Sequence, residues 1–219
     1  MDSSNIVIKA IKYIKVLHNI KENFSINIKK HIPIGSGLGG VSSNAATTLK
    51  LLEKTLHLTA LTKKNLEYIA YFLGADVPFF YLRKNAFVEG IGENISPIEL
   101  GEKFFILLIS PNVKCFSKDI FSLWDGRFSS AIDCTKNSIL NQIFNGKNDL
   151  EPYVRKKYVL VDDLLNFIRA QKKCLVSRMS GSGSSCFGIF EKREDLLNAK
   201  SAAEKLYGKN LVYYEKLLL

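Results

Sequence analysis

Four glycines fall within six positions of the run Pro33-Ile34-Gly35-Ser36-Gly37-Leu38-Gly39-Gly40-Val41-Ser42-Ser43-Asn44-Ala45-Ala46. Glycine reaches backbone conformations closed to other residues and lets a ligand approach the main chain. Beyond Ser43, Ala45, Ala46, Leu49, Leu52 and Leu56 recur at helical spacing, which predicts an amphipathic helix capped at Ser42 or Ser43. A glycine loop that opens into a helix presents free N–H groups and the positive end of the helix dipole. That combination suits phosphate. A flexible linker does not usually end in Ser-Ser-Asn followed by an amphipathic helix.

Three phosphate-loop patterns compete for these residues. Gly35, Gly37 and Gly40 satisfy G-x-G-x-x-G, the dinucleotide fingerprint. That pattern needs a buried parallel strand leading into the glycines, and such strands are continuously apolar. Phe24-Ser25-Ile26-Asn27-Ile28-Lys29 alternates instead, predicting a half-buried strand over about 24–32. Gly35 to Gly40 also has P-loop spacing, but Val41 stands where that loop needs lysine. The third pattern, P-x-G-x-G-L-G-G-x-S-S-N-A-A, fits throughout.

The rest of the chain alternates helical and strand-like segments. Helices are expected over about 5–18, from Ser42 or Ser43, from a Thr62 cap to a stop at Gly74, and over about 117–124, 138–144, 161–170 and 194–206, the last stopped by Gly208. Strands are expected at 79–82, 86–90, 104–110, 174–179, 186–190 and 211–214. Gly90 and Gly92 flank a tight turn, and 125–136 is an irregular connection. A division near residue 100 separates a 1–100 domain from a 101–219 domain. This alternation suggests a split β-α-β sandwich, an α+β fold. The loop Ser180-Gly181-Ser182-Gly183-Ser184-Ser185 holds more small residues than a hairpin needs. It is expected to be a second backbone cradle facing the first.

Composition narrows the function classes. No apolar run approaches the roughly 18–20 residues of a membrane span, and no signal-peptide core opens the chain. A soluble, cytoplasmic protein without a membrane partner is the expectation. The net charge of +10 is spread along the chain. It fits polyphosphate ligands better than a nucleic-acid partner. Cys115, Cys134, Cys174 and Cys186 form no C-x-x-C pair, and His18, His31 and His57 are scattered. Neither set predicts a metal site.

The Pro33–Ala46 pattern resembles the phosphate loop of the galactokinase/homoserine kinase/mevalonate kinase/phosphomevalonate kinase superfamily. Gly74-Ala75-Asp76-Val77-Pro78-Phe79-Phe80 resembles the catalytic-aspartate segment of the 4-diphosphocytidyl-2-C-methyl-D-erythritol kinases. Met179-Ser180-Gly181-Ser182-Gly183-Ser184-Ser185-Cys186-Phe187 resembles their third glycine loop, and Asn148-Asp149-Leu150-Glu151-Pro152 also fits. Four motifs in order, spanning 33–187, make the resemblance specific. It implies a two-domain kinase fold, with an N-terminal βαβ phosphate-loop domain and a C-terminal ferredoxin-like domain. It also implies ATP-dependent phosphorylation of the 2-hydroxyl of a cytidine-diphosphate-linked methylerythritol, a small-molecule substrate of the non-mevalonate isoprenoid pathway. Pro33, Ile34, Gly35, Ser36, Gly37, Leu38, Gly39, Gly40, Val41, Ser42 and Ser43 would hold ATP, and Asp76 would be the catalytic base. Gly181, Ser182 and Gly183 would form a substrate or phosphate loop. Mg²⁺ would accompany ATP, with Ser42 or Ser43 in reach.

Two departures from the family pattern carry expectations. Val41 replaces a third consecutive glycine, and a β-branched residue there is strained if the backbone needs a positive φ. The family's opening strands, with a lysine and a Gly-Tyr-His segment, have no counterpart; Asn5-Ile6-Val7 resembles the start of the helix that follows them. Without that lysine and those strands, the chain by itself is expected to be impaired or inactive, with an open sheet edge. A degenerate nucleotide-binding chain without catalysis, or another kinase of the superfamily, stays open as an alternative.

Overall fold

The computed structural model describes residues 5–130, 139–208 and 211–218. They form two compact units, one of Met1–Lys30 with Gly39–Glu99, the other of His31–Leu38 with Leu100–Leu219. The first eight residues of the segment that begins at His31 therefore belong with the second unit.

The first unit is built from helices and one hairpin. Helix α1 (Ile6–Leu17) starts at Asn5, whose side chain accepts the Val7 amide at 3.0 Å. Helix α2 (Gly40–Thr55) buries Ala45, Ala46, Leu49 and Leu52. Helix α3 (Lys63–Phe72) opens with a capping box. Thr62 Oγ1 accepts the Asn65 amide at 3.3 Å, and Asn65 Oδ1 accepts the Thr62 amide at 2.9 Å. Helix α4 (Val77–Leu82) is followed by an antiparallel hairpin of β1 (Ala86–Glu89) and β2 (Asn94–Pro97), with Gly90 and Gly92 at positive φ in the turn. Ile14, Leu49, Ile69 and Val77, none of them exposed at all, meet in the core.

The second unit is a four-stranded antiparallel sheet with helices. Its elements run β3 (Phe104–Ser110), α5 (Ser117–Phe121), α6 (Ile139–Asn145), α7 (Glu151–Lys157), α8 (Val159–Arg169), β4 (Cys174–Met179), β5 (Cys186–Phe190), α9 (Arg193–Tyr207) and β6 (Val212–Leu218). The strand order is β4-β5-β3-β6, with every neighbouring pair antiparallel. This is the ferredoxin-like β-α-β-β-α-β plan. Leu107, Ile109, Phe190, Leu164, Ile168 and Leu196 form its main core. The other face of the sheet packs Phe104, Val176 and Ile189 against Leu140, Ile143 and Phe144 of α6.

Three expectations are corrected and one element is added. Residues 24–32 form no strand, and among the described residues of the first unit the two strands make an antiparallel hairpin and no βαβ arrangement. No other extended segment among the described residues pairs with 24–32, and Ile26, Ile28 and Ile32 are exposed; a lone strand leaves its backbone unpaired. Residues 79–82 are helical, not extended. A short apolar run does not distinguish strand from helix, and Pro78 decides it, because proline is accommodated in the first turn of a helix. Ser42 and Ser43 do not cap α2; they lie inside it, after an N-cap at Gly39. Residues 151–157, with no expected element, form α7. Cys134, the 131–136 part of the irregular connection and the start of the 138–144 helix lie outside the described residues.

Phe190 is wholly buried at the centre of the second unit. Phe190→Ala should lower unfolding stability by about 3–5 kcal/mol, read as a shift of the urea midpoint with an unchanged slope.

Candidate active site

The first glycine loop is held from behind by its carbonyls. Cys115 N–H donates to Gly35 O at 2.9 Å, Ser185 N–H to Ser36 O at 3.0 Å, and Ser180 Oγ–H to Gly37 O at 2.9 Å. Three successive carbonyls are thus committed. Residues 34–35 form a turn, and the amides of Gly35, Gly37 and Leu38 make no backbone bond to another described residue. A backbone segment with its acceptors tied back and its amides turned outward has the form that suits an anion. Gly35 and Gly37 take positive φ, 73° and 72°. A Cβ on Gly37 would lie 2.2 Å from Ser180 O and 2.7 Å from Gly183 O. Only glycine lets the two loops touch here.

The second loop has its own buttress. Asn148 Nδ2 donates to Met179 O at 3.0 Å and Gly181 O at 2.8 Å, while its Oδ1 accepts the Leu150 amide at 3.0 Å. Glu151 Oε2 accepts the Met179 amide at 2.9 Å. Ser184 Oγ–H donates to Val113 O, and Ser117 and Ser182 hydroxyls are 2.9 Å apart. Sequence reasoning noticed Asn148-Asp149-Leu150-Glu151-Pro152 only as a pattern. Its tasks are structural: Pro152 sits in the first turn of α7, and two polar side chains clasp the strand that enters the Gly181–Gly183 loop. An Asn three residues before a helix start and a Glu at its first position were the available signal, since such residues serve backbone amides.

In the first unit, α2 starts from Gly39, φ 61°, with no side-chain cap. Its first intrahelical bond is Ser43 N–H to Gly39 O at 2.8 Å. The amides of Gly40, Val41 and Ser42 therefore point out of the helix end. Positive φ falls on Gly35, Gly37 and Gly39 and not on Val41. Val41 has helical geometry and a 55% exposed side chain, so the expected backbone strain does not arise. Pro33 is half-buried, Ile34 exposed and Ser36 buried.

Asp76 occupies the N-cap of α4, exposed, with no capping bond from its side chain. Two close contacts set its neighbourhood. The ring of Phe80, one turn along α4, fills the space where Gly39 would carry a Cβ, 2.5 Å from it. A Cβ on Gly74 would lie 3.9 Å from Ser42 Oγ. The acidic end of α4 is thereby held beside the open N-terminus of α2. Gly92 supports the same corner: a Cβ there would meet Ala75 O at 2.1 Å.

Cys115 lies against the loops, its sulfur 3.5 Å from where Gly183 would carry a Cβ. Burial pushes Cys115 up to about 11, against the opposing charge of Lys157, and pushes Cys186 up further, helped by the Glu151 carboxylate. Both stay protonated and unreactive.

Residues 5–84 match the family described as GHMP kinases N terminal domain, and residues 134–209 match GHMP kinases C terminal. The 4-diphosphocytidyl-2-C-methyl-D-erythritol kinase of Thermodesulfovibrio yellowstonii is 34% identical over 209 residues, 90% of this chain and 72% of that one. The chain belongs to the GHMP kinase family. Two further enzymes of the same description are 36% identical: that of Wigglesworthia glossinidia brevipalpis, over 87% of this chain and 62% of its own, and that of Burkholderia pseudomallei, over 94% and 70%. This GHMP kinase chain thus spans 62–72% of the length of these relatives. A crystal structure of 4-(cytidine 5'-diphospho)-2C-methyl-D-erythritol kinase superposes with TM-score 0.77 at 25% identity, covering 96% of this chain and 77% of that one. Homoserine kinase from Cytophaga hutchinsonii shares the fold, with TM-score 0.68 at 15% identity over 99% and 76%.

Gly37→Ala should weaken ATP binding by at least about tenfold, because a Cβ cannot coexist with Ser180 O and the positive φ is lost. Titration of a fluorescent ATP analogue measures it.

Proposed function

We propose that this chain transfers the γ-phosphoryl group of ATP to the 2-hydroxyl of 4-diphosphocytidyl-2-C-methyl-D-erythritol, in the non-mevalonate isoprenoid pathway. The observation that carries the reading is the pairing, within the first unit, of the uncapped α2 N-terminus with the Asp76 end of α4. One feature binds an anion, and the other brings a carboxylate beside it. The names of the relatives supply the substrate.

The amides of Gly40, Val41 and Ser42 at the α2 N-terminus hold the ATP phosphates by main-chain hydrogen bonds, which need no lysine in the loop itself. Phosphoryl transfer depends mainly on positioning and charge neutralisation. As the substrate oxygen bonds to the γ-phosphorus, the bridging P–O bond to ADP breaks. Asp76 takes the hydroxyl proton. The Gly181–Gly183 loop contributes amides toward a substrate phosphate, with Asn148 fixing its entry.

Among the described residues no group of three or more His, Cys, Asp or Glu could hold a metal ion. Mg²⁺ needs no such cage, since it keeps several waters and takes nucleotide oxygens with one or two protein ligands. The Ser42 hydroxyl fits one place in that donor set, and the ion would neutralise phosphate charge. The described free thiols Cys115, Cys174 and Cys186 suit a reducing cytoplasm, where ATP is at hand.

Asp76→Asn should lower kcat by about 10²–10⁴-fold while leaving the KM for ATP nearly unchanged. ADP release in the presence of Mg²⁺ and the cytidine-diphosphate methylerythritol checks it. Wild-type turnover surviving in Asp76→Asn would remove Asp76 from the mechanism. Absence of turnover in the wild-type chain, with ATP binding retained, would leave a nucleotide-binding protein in place of a kinase.

A further inference from the structure

Helix α4 has six residues and could not stand alone. Something must fix it for Asp76 to keep its place. Phe80 does part of this by lying on Gly39 at the start of α2. Its neighbour Tyr81 reaches the opposite end. Tyr81 OH donates to Glu53 Oε1 at 2.7 Å and accepts the Leu61 amide at 3.0 Å. Tyr81 is 3% exposed and Glu53 8%. Lys50 Nζ lies 3.6 Å from the centre of the Tyr81 ring and 3.7 Å from Glu53 Oε2.

A carboxylate this buried is expensive unless paired and hydrogen-bonded. Here it is met by a phenol and an ammonium from two directions. Burial and the Glu53 carboxylate push Tyr81 up to about 12, so the phenol keeps its proton throughout the working pH range. Two adjacent residues of α4 thus grip α2 at Gly39 and at Glu53, fourteen positions apart in sequence. A single contact would let a short helix pivot; two contacts near opposite ends of its neighbour fix both its position and its rotation.

We propose that the Tyr81–Glu53 hydrogen bond is a positioning clamp for Asp76, holding α4 so that its N-cap carboxylate stays at the α2 N-terminus. The kinetic part rests on the reading of Asp76 as catalytic base. Neither residue touches substrate in this account. They act through the helix.

The test compares wild type, Glu53→Gln, Tyr81→Phe, the double variant Tyr81→Phe/Glu53→Leu, and Asp76→Asn. Tyr81→Phe strands a buried carboxylate and tests stability as much as position. The double variant removes both partners and avoids that orphan. Amide hydrogen exchange at Phe80–Arg83 is read together with kcat, the two KM values and the thermal midpoint. The expected result is faster exchange in the double variant, kcat lower by about tenfold or more with the KM for ATP held, and near wild-type behaviour in Glu53→Gln, which still accepts the phenol hydrogen. Unchanged exchange in the double variant overturns the clamp outright. Faster exchange with unchanged kcat overturns its role in positioning. If Asp76→Asn keeps full turnover, or the wild-type chain has none, the reading of Asp76 fails separately. Exchange then decides whether Tyr81 and Glu53 hold the helix.

Discussion

The close approach of two glycine loops is the contact around which the second unit is arranged. Gly37 sits against Ser180 and Gly183 with no room for a methyl group. Donors from Cys115, Ser185 and Ser180 take the carbonyls of Gly35, Ser36 and Gly37, in that order. With those acceptors committed, the loop is held from behind by its carbonyls. The rest of the unit supports this contact. Strands β4 and β5 present the Ser180–Ser185 loop, and Asn148 and Glu151 secure the strand that leads into it.

The first unit solves a different problem, that of bringing a carboxylate to a helix N-terminus without capping it. A side chain that capped α2 would consume the amides an anion needs, and Gly39 has none to offer. Asp76 caps its own helix by position while its carboxylate makes no capping bond. Small residues make the approach possible. Gly39 admits the Phe80 ring, and Gly92 admits the Ala75 backbone. The buried polar triad of Lys50, Glu53 and Tyr81 then anchors α4 where packing alone would leave it short of contacts.

Charge is distributed to suit this. The net charge of +10 comes from lysines spread along the chain, and the loop itself carries none between Pro33 and Ser43. The proposed phosphate recognition therefore rests on oriented amides, and a positive field of this kind raises the local concentration of polyphosphate. Val41 is compatible with this because the positive φ values fall on alternate glycines before it.

Much of the site was legible from residue order. Glycine spacing, the Asp76 segment and the Ser180–Ser185 loop are local patterns, because the backbone conformations and turn chemistry they need are properties of a few adjacent residues. The second unit's strands were legible for a similar reason: apolar β-branched and aromatic runs, bounded by Pro111, Gly181 and Glu191, have one plausible use each. Tertiary structure decided what local pattern left ambiguous. Residues 24–32 alternate like a strand but have no pairing partner among the described residues. Residues 79–82 look equally like strand or helix until Val77 and Tyr81 are buried together. Asn148 and Glu151 acquire a task only when β4 arrives beside them. Hydrogen bonds between residues 28, 31 or 143 positions apart, such as Tyr81 to Glu53, Asn148 to Met179 and Ser180 to Gly37, leave no periodicity in the chain, so only the folded molecule could show them.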